Sequence, residues 1–494
     1  MTISAAGSTA SILTQRLVNM RSQFDDLQRQ LSTGQKSDTY AGLGLDRGLT
    51  VSLNAQSAQI GSYNTTIDNV MTRINVAQNA LTAIDKVSSG LGSALSQGTD
   101  SPTNGNTTQI SAQSWLQQLV GLLNTQVGDR YVFSGSATDT PSTASYDQII
   151  NGGNGRDGLT TVISERNQAD LGASGHGRLT ASSLGPTSQV AQDLPTGSKL
   201  GFELGSISSN LSNATVSGPS GSPPLVSVSF TGQPSAGETV TLGLNLPDGT
   251  TTNLTLTATT NSPPGANQFT IGASPTATAT NLQTALNTAL GTAANTTLKA
   301  ASTVQASNDF FDNPPKRVNG SPATSATSLT TTGTSANTVI WYTGDTSSGS
   351  ARASATARVD QSLTVNYGTR ANEDGIRAVV QSAATRAAVT LKGGPNDTNF
   401  ISALDHRLAG NIDGSGGVQT VTDIEAELAG VQTSMQAVKA NHQQTTNTLG
   451  SFLDQIQGVS NEQVGTELLS LQTRMQASMQ TTARLFQTSL VNYL

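Results

Sequence analysis

The stretch IEAELAGVQTSMQAVKANHQQTTNTLGSFLDQIQGV, residues 424–459, gives the strongest indication of the fold. Its stripe positions repeat at alternating spacings of four and three residues: Ile424, Leu428, Val431, Met435, Val438, His442, Thr445, Leu449, Phe452, Ile456 and Val459. Such a repeat forms a narrow, mostly apolar stripe along one helix, and the stripe requires a second helix against it. We therefore predict a long coiled-coil helix in this part of the chain.

The same spacing occurs near the N-terminus. The first series is Leu13, Leu17, Met20, Phe24, Leu27 and Leu31. After a Gly-rich loop at residues 40–48, a second series runs from Leu49 to Ile84. We predict a first helix that stops at Gly34, because glycine favours the backbone conformation that ends helices, and a second helix over residues 49–95. A third helix follows a polar break at residues 98–106.

The C-terminal stripe continues beyond Gly458. It resumes at Val464, Leu468, Leu471 and Met475 and then shifts toward Met479, Ala483, Phe486, Leu490 and Tyr493. We interpret this shift as an insertion that locally unwinds the supercoil without ending it. Two striped ends around a different middle predict a hairpin-like molecule, whose ends pair with each other and with other copies. The alternative is an ordinary intramolecular coiled coil with no role in assembly.

Composition excludes several classes of function. Only 12% of the 494 residues are charged and 4% are aromatic, so the cores must be thin. The net charge of −7 gives no basic field for nucleic acid or an anionic membrane. The chain has no cysteine, which excludes disulfides, thiolate nucleophiles and zinc–thiolate sites. We find neither a Sec-type signal nor a membrane span in the sequence, and predict no membrane insertion.

The middle of the chain, residues 136–370, reads as strands and turns. Alternation of apolar and polar residues predicts strands at residues 225–230 and 239–246, and β-branched and aromatic residues predict one at residues 131–135. Residues 339–342 and 363–367 are also predicted to be strands. Pro247-Asp248-Gly249 predicts the turn of a hairpin after residue 246. One short helix is predicted here, at residues 279–290. Helices return at residues 373–391 and 400–408.

These elements predict an α+β multidomain fold, with long terminal helices that form a coiled-coil or helical-bundle core around an inserted β-rich outer domain. The predicted domains are a terminal coiled-coil segment of residues 1–45 with 450–494, a helical bundle with β-hairpins of residues 46–197 with 321–449, and a β-rich insert of residues 198–320.

Motifs that could carry chemistry are sparse. Residues 153–158 (GNGRDG) satisfy G-x-G-x-x-G, but residues 159–163 read as a strand where a dinucleotide site needs a helix, so we predict a turn. His176, His406 and His442 are far apart, and His442 falls on the coiled-coil stripe, where a polar residue sets register. Residues 411–417 lack the ligand spacing of a calcium loop. We predict no catalytic, cofactor or metal site.

Three segments carry a resemblance to a known family. Leu31-Ser32-Thr33-Gly34 resembles the L-S-T-G signature of bacterial flagellins and their hook-associated relatives. Residues 128–135 (GDRYVFSG) and 477–494 are similar to segments of the hook–filament junction protein, hook-associated protein 3. The resemblance covers about residues 1–135 and 370–494. The insert at residues 198–320 has the character of a flagellin outer domain, which leaves the choice between junction and filament subunit open.

This resemblance implies a non-enzymatic structural subunit of the bacterial flagellum that supports swimming motility. It implies an extracellular location after type III export of the unfolded chain, without a cleavable signal peptide. The implied partners are other copies in a helical tube, hook-associated proteins, flagellin and an export chaperone. The predicted assembly residues are Leu13, Leu17, Met20, Phe24, Leu27, Leu31, Leu449, Phe452, Ile456, Leu468, Leu471, Met475, Phe486 and Leu490. The alternative is a secreted coiled-coil adhesin or type III translocator with a β head.

Overall fold

The computed structural model describes residues 3–97, 102–414 and 417–491. The helices are α1 Ile3–Thr33, α2 Arg47–Ser96, α3 Pro102–Leu123, α4 Tyr146–Asn151, α5 Leu159–Leu171, α6 Pro275–Ala293, α7 Lys299–Phe311, α8 Thr334–Asn337, α9 Asp374–Ala388, α10 Asp397–Ile412, α11 Val421–Gln457 and α12 Asn461–Val491. Shorter helical turns are the 3-10 turns Tyr40–Asp46, Ala323–Ser325 and Ala351–Ser354 and the π-helical turn Ala294–Leu298.

The strands are short. They are β1 Gln126–Val127, β2 Arg130–Tyr131, β3 Gly152–Gly153, β4 Arg156–Asp157, β5 Leu179–Leu184, β6 Thr187–Gln192, β7 Glu203–Ser209, β8 Ala214–Ser220, β9 Leu225–Phe230, β10 Thr239–Asn245, β11 Thr251–Thr259, β12 Gln268–Thr270, β13 Arg317–Asn319, β14 Ser328–Thr330, β15 Thr356–Arg358 and β16 Thr364–Asn366.

Contacts divide the chain into two compact units. The terminal unit comprises Met1–Val70, Ala357–Val365 and Thr433–Leu494, and the central unit comprises Met71–Thr356 and Asn366–Gln432. Long terminal helices with a β-rich middle confirm the predicted α+β fold class.

In the terminal unit, α1 ends where the sequence predicts. Gly34 adopts a φ of +71°, and its N–H donates to the Gln30 carbonyl at 2.8 Å, which closes the last turn of the helix. The predicted unbroken supercoil through Gly458 is wrong, because α11 ends at Gln457 and α12 begins at Asn461. The chain leaves the helix here to form a backbone bridge between Gly458 and Gln35.

The central unit contains a helical bundle. The stripe of α2 lies in its core, where Ile74, Leu81, Ile84 and Leu91 are buried. The helix α3 packs on α9, α5 packs on α7, and α10 contacts both α7 and α9. The predicted helices over residues 49–95, 373–391 and 400–408 are therefore confirmed, with shifted ends.

Two four-stranded sheets form the β part of the central unit. Their strand orders are β5-β6-β9-β8 and β12-β11-β10-β7, and α6 contacts strands of both sheets. The predicted strand at residues 225–230 and the hairpin around Pro247 are confirmed, with Asn245 paired to Thr251 across the turn. One apolar core joins the sheets to α6 and includes Phe202, Phe230 and Leu282.

The prediction of a strand at residues 159–163 is wrong. These residues begin the helix α5, in which Leu159, Val162, Ile163 and Arg166 are buried at helical spacing. The β-branched run Thr160-Thr161-Val162-Ile163 favours a strand locally, but packing against α7 decides the outcome. The helix α7 was also missed, because its buried face consists mainly of Ala, Ser and Thr and carries little apolar periodicity.

Two other predicted strands are reduced to isolated contacts. At residues 339–342, only Tyr342 pairs, with Thr143, and Trp341 is instead buried beside Phe311 with ring centroids 5.0 Å apart. At residues 131–135, only Tyr131 belongs to a strand, which pairs with Gln126 in a two-residue ladder. In the segment at residues 339–342, burial of the aromatic side chains takes the place of strand pairing. The predicted strand at residues 363–367 is confirmed as β16.

The G-x-G-x-x-G stretch forms the tight hairpin β3–β4, as predicted for a turn. A side chain on Gly158 would place its Cβ 2.4 Å from the Gly152 nitrogen and 2.5 Å from the Ile150 carbonyl oxygen. We expect Gly158→Ala to lower the free energy of unfolding by about 1–3 kcal/mol through overpacking, measured by urea denaturation. Gly121→Ala on α3 is the control, because its Cβ meets no atom within 4 Å. Equal stability of the two variants would contradict the expected clash.

Candidate assembly interface

The two ends of the chain pair with each other in the terminal unit. The helix α1 lies against α12. The Lys36 N–H donates to the Gln457 carbonyl at 2.7 Å, and the Val459 N–H donates to the Gly34 carbonyl at 3.0 Å. These bonds fix the segment after α1 to the segment before α12. The pairing of terminal helices that the sequence predicts is therefore present within a single chain.

Arg29 orders the segment that follows α1. Its guanidinium forms ion pairs with Asp26 at 2.6 Å and with Asp38 at 2.8 Å, and donates to the Lys36 carbonyl at 3.3 Å. The hydrogen bond that Arg29 donates to Asp26 and the negative charge of Asp38 raise the pKa of Arg29. All three partners are exposed to solvent, so this network positions the chain more than it stabilises the fold.

The predicted assembly residues of α1 and α12 are only partly covered by this pairing. On α1, Leu13, Leu17, Met20, Phe24 and Leu27 are half-buried, and Leu31 is exposed. On α12, Leu471 is buried, whereas Leu468 and Met475 are half-buried. The side chains of Phe486 and Leu490 lie outside the part of the chain that the structure describes. One helix pair therefore leaves most of its predicted seam incompletely buried.

Other apolar side chains of the terminal unit face solvent. They include Ile12 and Val18 on α1 and Leu469 and Met479 on α12. A second group, here called the Leu45 segment, consists of Tyr40, Leu45, Leu49 and Val51. It follows Gln35, the residue that bridges to Gly458, and its Leu45 side chain is fully exposed. The sequence predicts residues 40–48 only as a loop. The two leucines in this Gly-rich loop are the signal that could have indicated an exposed apolar segment. Contiguous exposed apolar patches are typical of interaction surfaces, so these side chains are candidates for contact with another molecule.

On α11 the observed stripe differs in one detail from the predicted one. After His442, the inward positions are Thr446, Leu449, Leu453 and Ile456, so Thr445 and Phe452 lie outside it. A straight α-helix has 3.6 residues per turn, and a strict heptad pattern drifts around its surface. Leu449 is buried and Ile456 is half-buried, whereas Phe452 is 50% exposed. Phe452 is free to contact another molecule, and its role there stays a prediction.

A polar pair interrupts the apolar seam of α2 and α11 in the terminal unit. His442 is 5% exposed, and its Nδ1 lies 2.9 Å from Oδ1 of Asn64. The ring also stacks on Tyr63, with centroids 6.0 Å apart, and its Nε2 lies 3.9 Å from a carboxylate oxygen of Asp360. One ion pair, Lys439 with Asp68, lies one turn away on α11. A buried polar pair has partners in only one alignment of the two helices, so it selects their register.

We expect Asn64→Ala to destabilise this seam by about 1–3 kcal/mol, because it removes a hydrogen-bond partner from the buried imidazole. Native-state hydrogen exchange of the α11 amides around His442 measures this loss. Asn447→Ala, on the exposed face of the same helix, is the control and should change protection by less than about 0.5 kcal/mol. If both variants exchange at the rate of the unmodified protein, His442 does not depend on Asn64.

The other motifs considered from the sequence are the three histidines and the loop at residues 411–417. His176, His406 and His442 remain apart, and the described residues hold no group of three or more His, Asp or Glu side chains placed to bind a metal ion. The loop at residues 411–417 connects α10 to α11, and its residues 415 and 416 lie outside the described part. Across residues 3–97, 102–414 and 417–491, no helix has the length and apolarity to cross a membrane.

A comparison with family models covers the N-terminal part of this candidate interface. Residues 6–138 match the model of the bacterial flagellin N-terminal helical region. This segment is similar to a flagellin helical region. The match spans α1, the Leu45 segment, α2, α3 and the hairpin β1–β2. The flagellin resemblance that Leu31-Ser32-Thr33-Gly34 predicts is thereby confirmed, whereas the narrower resemblance to the junction protein is not tested by it. No curated protein matches the sequence.

Flagellins are structural proteins exported to the bacterial flagellum, and the flagellin match agrees with the arrangement of the terminal unit. The matched segment supplies α1 and α2, whereas their partners α12 and α11 come from residues outside the match. The candidate interface is therefore built from both ends of the chain, and each end leaves apolar side chains exposed.

Proposed function

We propose that this protein is a structural, non-enzymatic subunit of the bacterial flagellum that assembles into a helical tube through its paired terminal helices. The observation that carries the proposal is the incomplete burial of the terminal unit. Half-buried stripe residues such as Leu17 and Phe24, together with the fully exposed Leu45, leave apolar surface that a neighbouring subunit can cover. In this role the protein supports swimming motility, as a filament flagellin or a hook–filament junction protein.

The geometry of the ends supports an open polymer. A contact between different surfaces of identical subunits generates a ring or a helical filament, depending on whether the rotation closes. The terminal unit offers such different surfaces, namely the Leu45 segment and the outer faces of α1 and α12. The half-exposed Phe452 adds a third apolar position on α11.

We infer a layered arrangement in the assembled subunit. Residues 1–45 with 450–494 form the inner layer, residues 46–197 with 321–449 form the surrounding bundle, and residues 198–320 face solvent. The partners are other copies, flagellin, hook-associated proteins and, before export through a type III channel, a chaperone. The absence of cysteine suits passage of an unfolded chain, because no cross-links can form on the way.

The test is polymerisation of purified monomer. Ammonium sulfate strengthens apolar burial, so it should drive assembly, which light scattering and negative-stain electron microscopy detect. Hydrogen exchange before and after assembly should show a gain in protection of the α1 and α12 amides, because helices with half-covered seams open more readily in isolation. Long fibres from the protein alone identify a filament subunit, and growth only on the ends of added filament fragments identifies a junction subunit.

Two results would contradict the proposal. A monomer that stays monomeric in ammonium sulfate and does not bind filament fragments is not a flagellar subunit. Amides of α1 and α12 that are equally protected in the monomer and after association would instead favour the coiled-coil stalk of an adhesin or translocator.

A further inference from the structure

A cavity of about 380 Å³ lies in the central unit. The helix α5 forms one wall, and the π-helical turn Ala294–Leu298 with the start of α7 forms another. The segment after α9 and the residue Phe400 of α10 complete it. This volume is in the range of small-molecule sites, and π-helical turns often occur at functional positions.

Lys299 supplies the charge of this cavity. Its Nζ lies 4.1 Å from the centroid of the Phe400 ring, a cation–π contact. Burial lowers the pKa of Lys299, and the attraction of Asp397 opposes this effect in part. Within the described residues, no carboxylate comes close enough to Nζ for an ion pair. Oδ2 of Asp397 accepts instead from the backbone N–H groups of Lys392 and Gly394, both at 2.9 Å.

Ser302 supplies an unused hydrogen-bonding group in the same cavity. It follows Lys299 by three residues on α7, so both side chains lie on the same side of the helix. Ser302 is fully buried, and among the described residues its hydroxyl has no hydrogen-bond partner. The hydroxyl of the neighbouring Thr303, in contrast, donates to the Lys299 carbonyl at 2.8 Å. A buried hydroxyl without a partner is costly and indicates a missing acceptor or donor.

The remaining walls define what kind of molecule fits. Leu298 and Val389 are buried and apolar, and Phe400 adds an aromatic face. The charged groups around the cavity are Lys299, the exposed Lys392 at its rim and Asp397, which together carry one net positive charge. One half-buried ammonium beside an apolar wall suits a monoanion with a carbon chain better than a compact dianion.

We propose that this cavity binds a small organic carboxylate, whose anionic group contacts Lys299 and the Ser302 hydroxyl and whose carbon chain packs against Leu298, Val389 and Phe400. This binding is separate from assembly, because none of these residues belongs to the terminal unit. A monomer defective in polymerisation should therefore retain it.

The first experiment uses saturation-transfer NMR on the full-length monomer with hexanoate as the probe and hexanamide as its neutral counterpart. Hexanoate should bind and hexanamide should bind at least about tenfold more weakly, because the amide lacks the charge. Lys299→Met should weaken hexanoate binding by a similar factor, and Ser302→Ala should weaken it less. The control is Lys86→Met, an exposed lysine on α2 that does not line the cavity.

The second experiment needs no variant and covers the case in which Lys299→Met does not fold. Hexanoate should protect Lys299 of the unmodified protein from an amine-acetylating reagent, measured by peptide mass spectrometry, while Lys86 reacts at an unchanged rate. The proposal is overturned if hexanoate does not bind, if hexanamide binds equally well, or if Lys299 acetylation is unaffected by hexanoate.

Discussion

Replacing Leu45 by Asp should prevent polymerisation while the monomer remains folded. The side chain of Leu45 is fully exposed in the single chain, so the substitution removes no internal contact. If a neighbouring subunit covers this side chain, assembly gains about 1.5–3 kcal/mol from Leu45, and burial of an aspartate there costs more than that gain. We expect the critical concentration for assembly to rise by about a hundredfold or more, measured by sedimentation of polymer.

The matched control is Leu184→Asp. Leu184 is also a strongly exposed leucine, at 75%, but it lies at the end of β5 in the β part of the central unit. This variant should polymerise like the unmodified protein. Circular dichroism of both monomers establishes that neither substitution unfolds the chain. If Leu45→Asp monomers assemble at the unmodified concentration, the Leu45 segment is not part of a subunit contact.

Arg386→Met should be the most destabilising single substitution in the central unit. Arg386 and Asp405 join α9 to α10, with Nε 2.8 Å from Oδ1, and both side chains are almost completely buried. Removal of one partner leaves an uncompensated buried charge, which costs about 3–5 kcal/mol near neutral pH, measured by urea denaturation. The double variant Arg386→Met with Asp405→Leu should recover this loss, because an apolar pair of similar volume needs no desolvation of charge. If the double variant is as unstable as the single one, the pair is not the cause.

The same pair predicts a pH dependence. Burial raises the pKa of Asp405 from 3.8 to about 6, although the charge of Arg386 opposes the shift. The folded protein then binds this proton more tightly than the unfolded chain. The stabilisation that this bound proton provides is complete below the ordinary pKa of 3.8. It is lost as pH rises through about 6, and the free energy of unfolding then falls by about 3 kcal/mol in total. Asp405→Asn should remove this component, seen as the difference between the two stability–pH curves; parallel curves would contradict it.

The helical framework of this protein could be predicted from spacing because most of its stripe positions are apolar and repeat regularly. The stripe from Leu49 to Ile84 predicted α2, and Gly34 predicted the end of α1. The hairpin around Pro247-Asp248-Gly249 could also be predicted, because the turn residues and the alternating strands are local signals. The flagellin resemblance also came from a local motif, Leu31-Ser32-Thr33-Gly34, which the family comparison confirms.

Elements with polar or small buried faces could not be predicted in this way. The helix α7 buries Ala300, Ser302 and Ala306 where a periodic apolar face would be expected, and α5 buries Arg166 through ion pairs with Asp170 and Asp309. Their helical state depends on contacts with partners that are far away in the sequence. The cavity beside Lys299 is formed by contacts between segments that are distant in the sequence, so no sequence motif predicts it.

The sequence by itself determined which segments are amphipathic, where α1 ends and which family the N-terminal helices resemble, because these properties depend on neighbours within a few turns. The tertiary structure decided that Gly458 breaks the C-terminal helix, that His442 faces Asn64, and that Leu45 faces solvent. The physical reason is that burial and hydrogen bonding between distant segments compete with local preference, and they prevail wherever the local signal is weak.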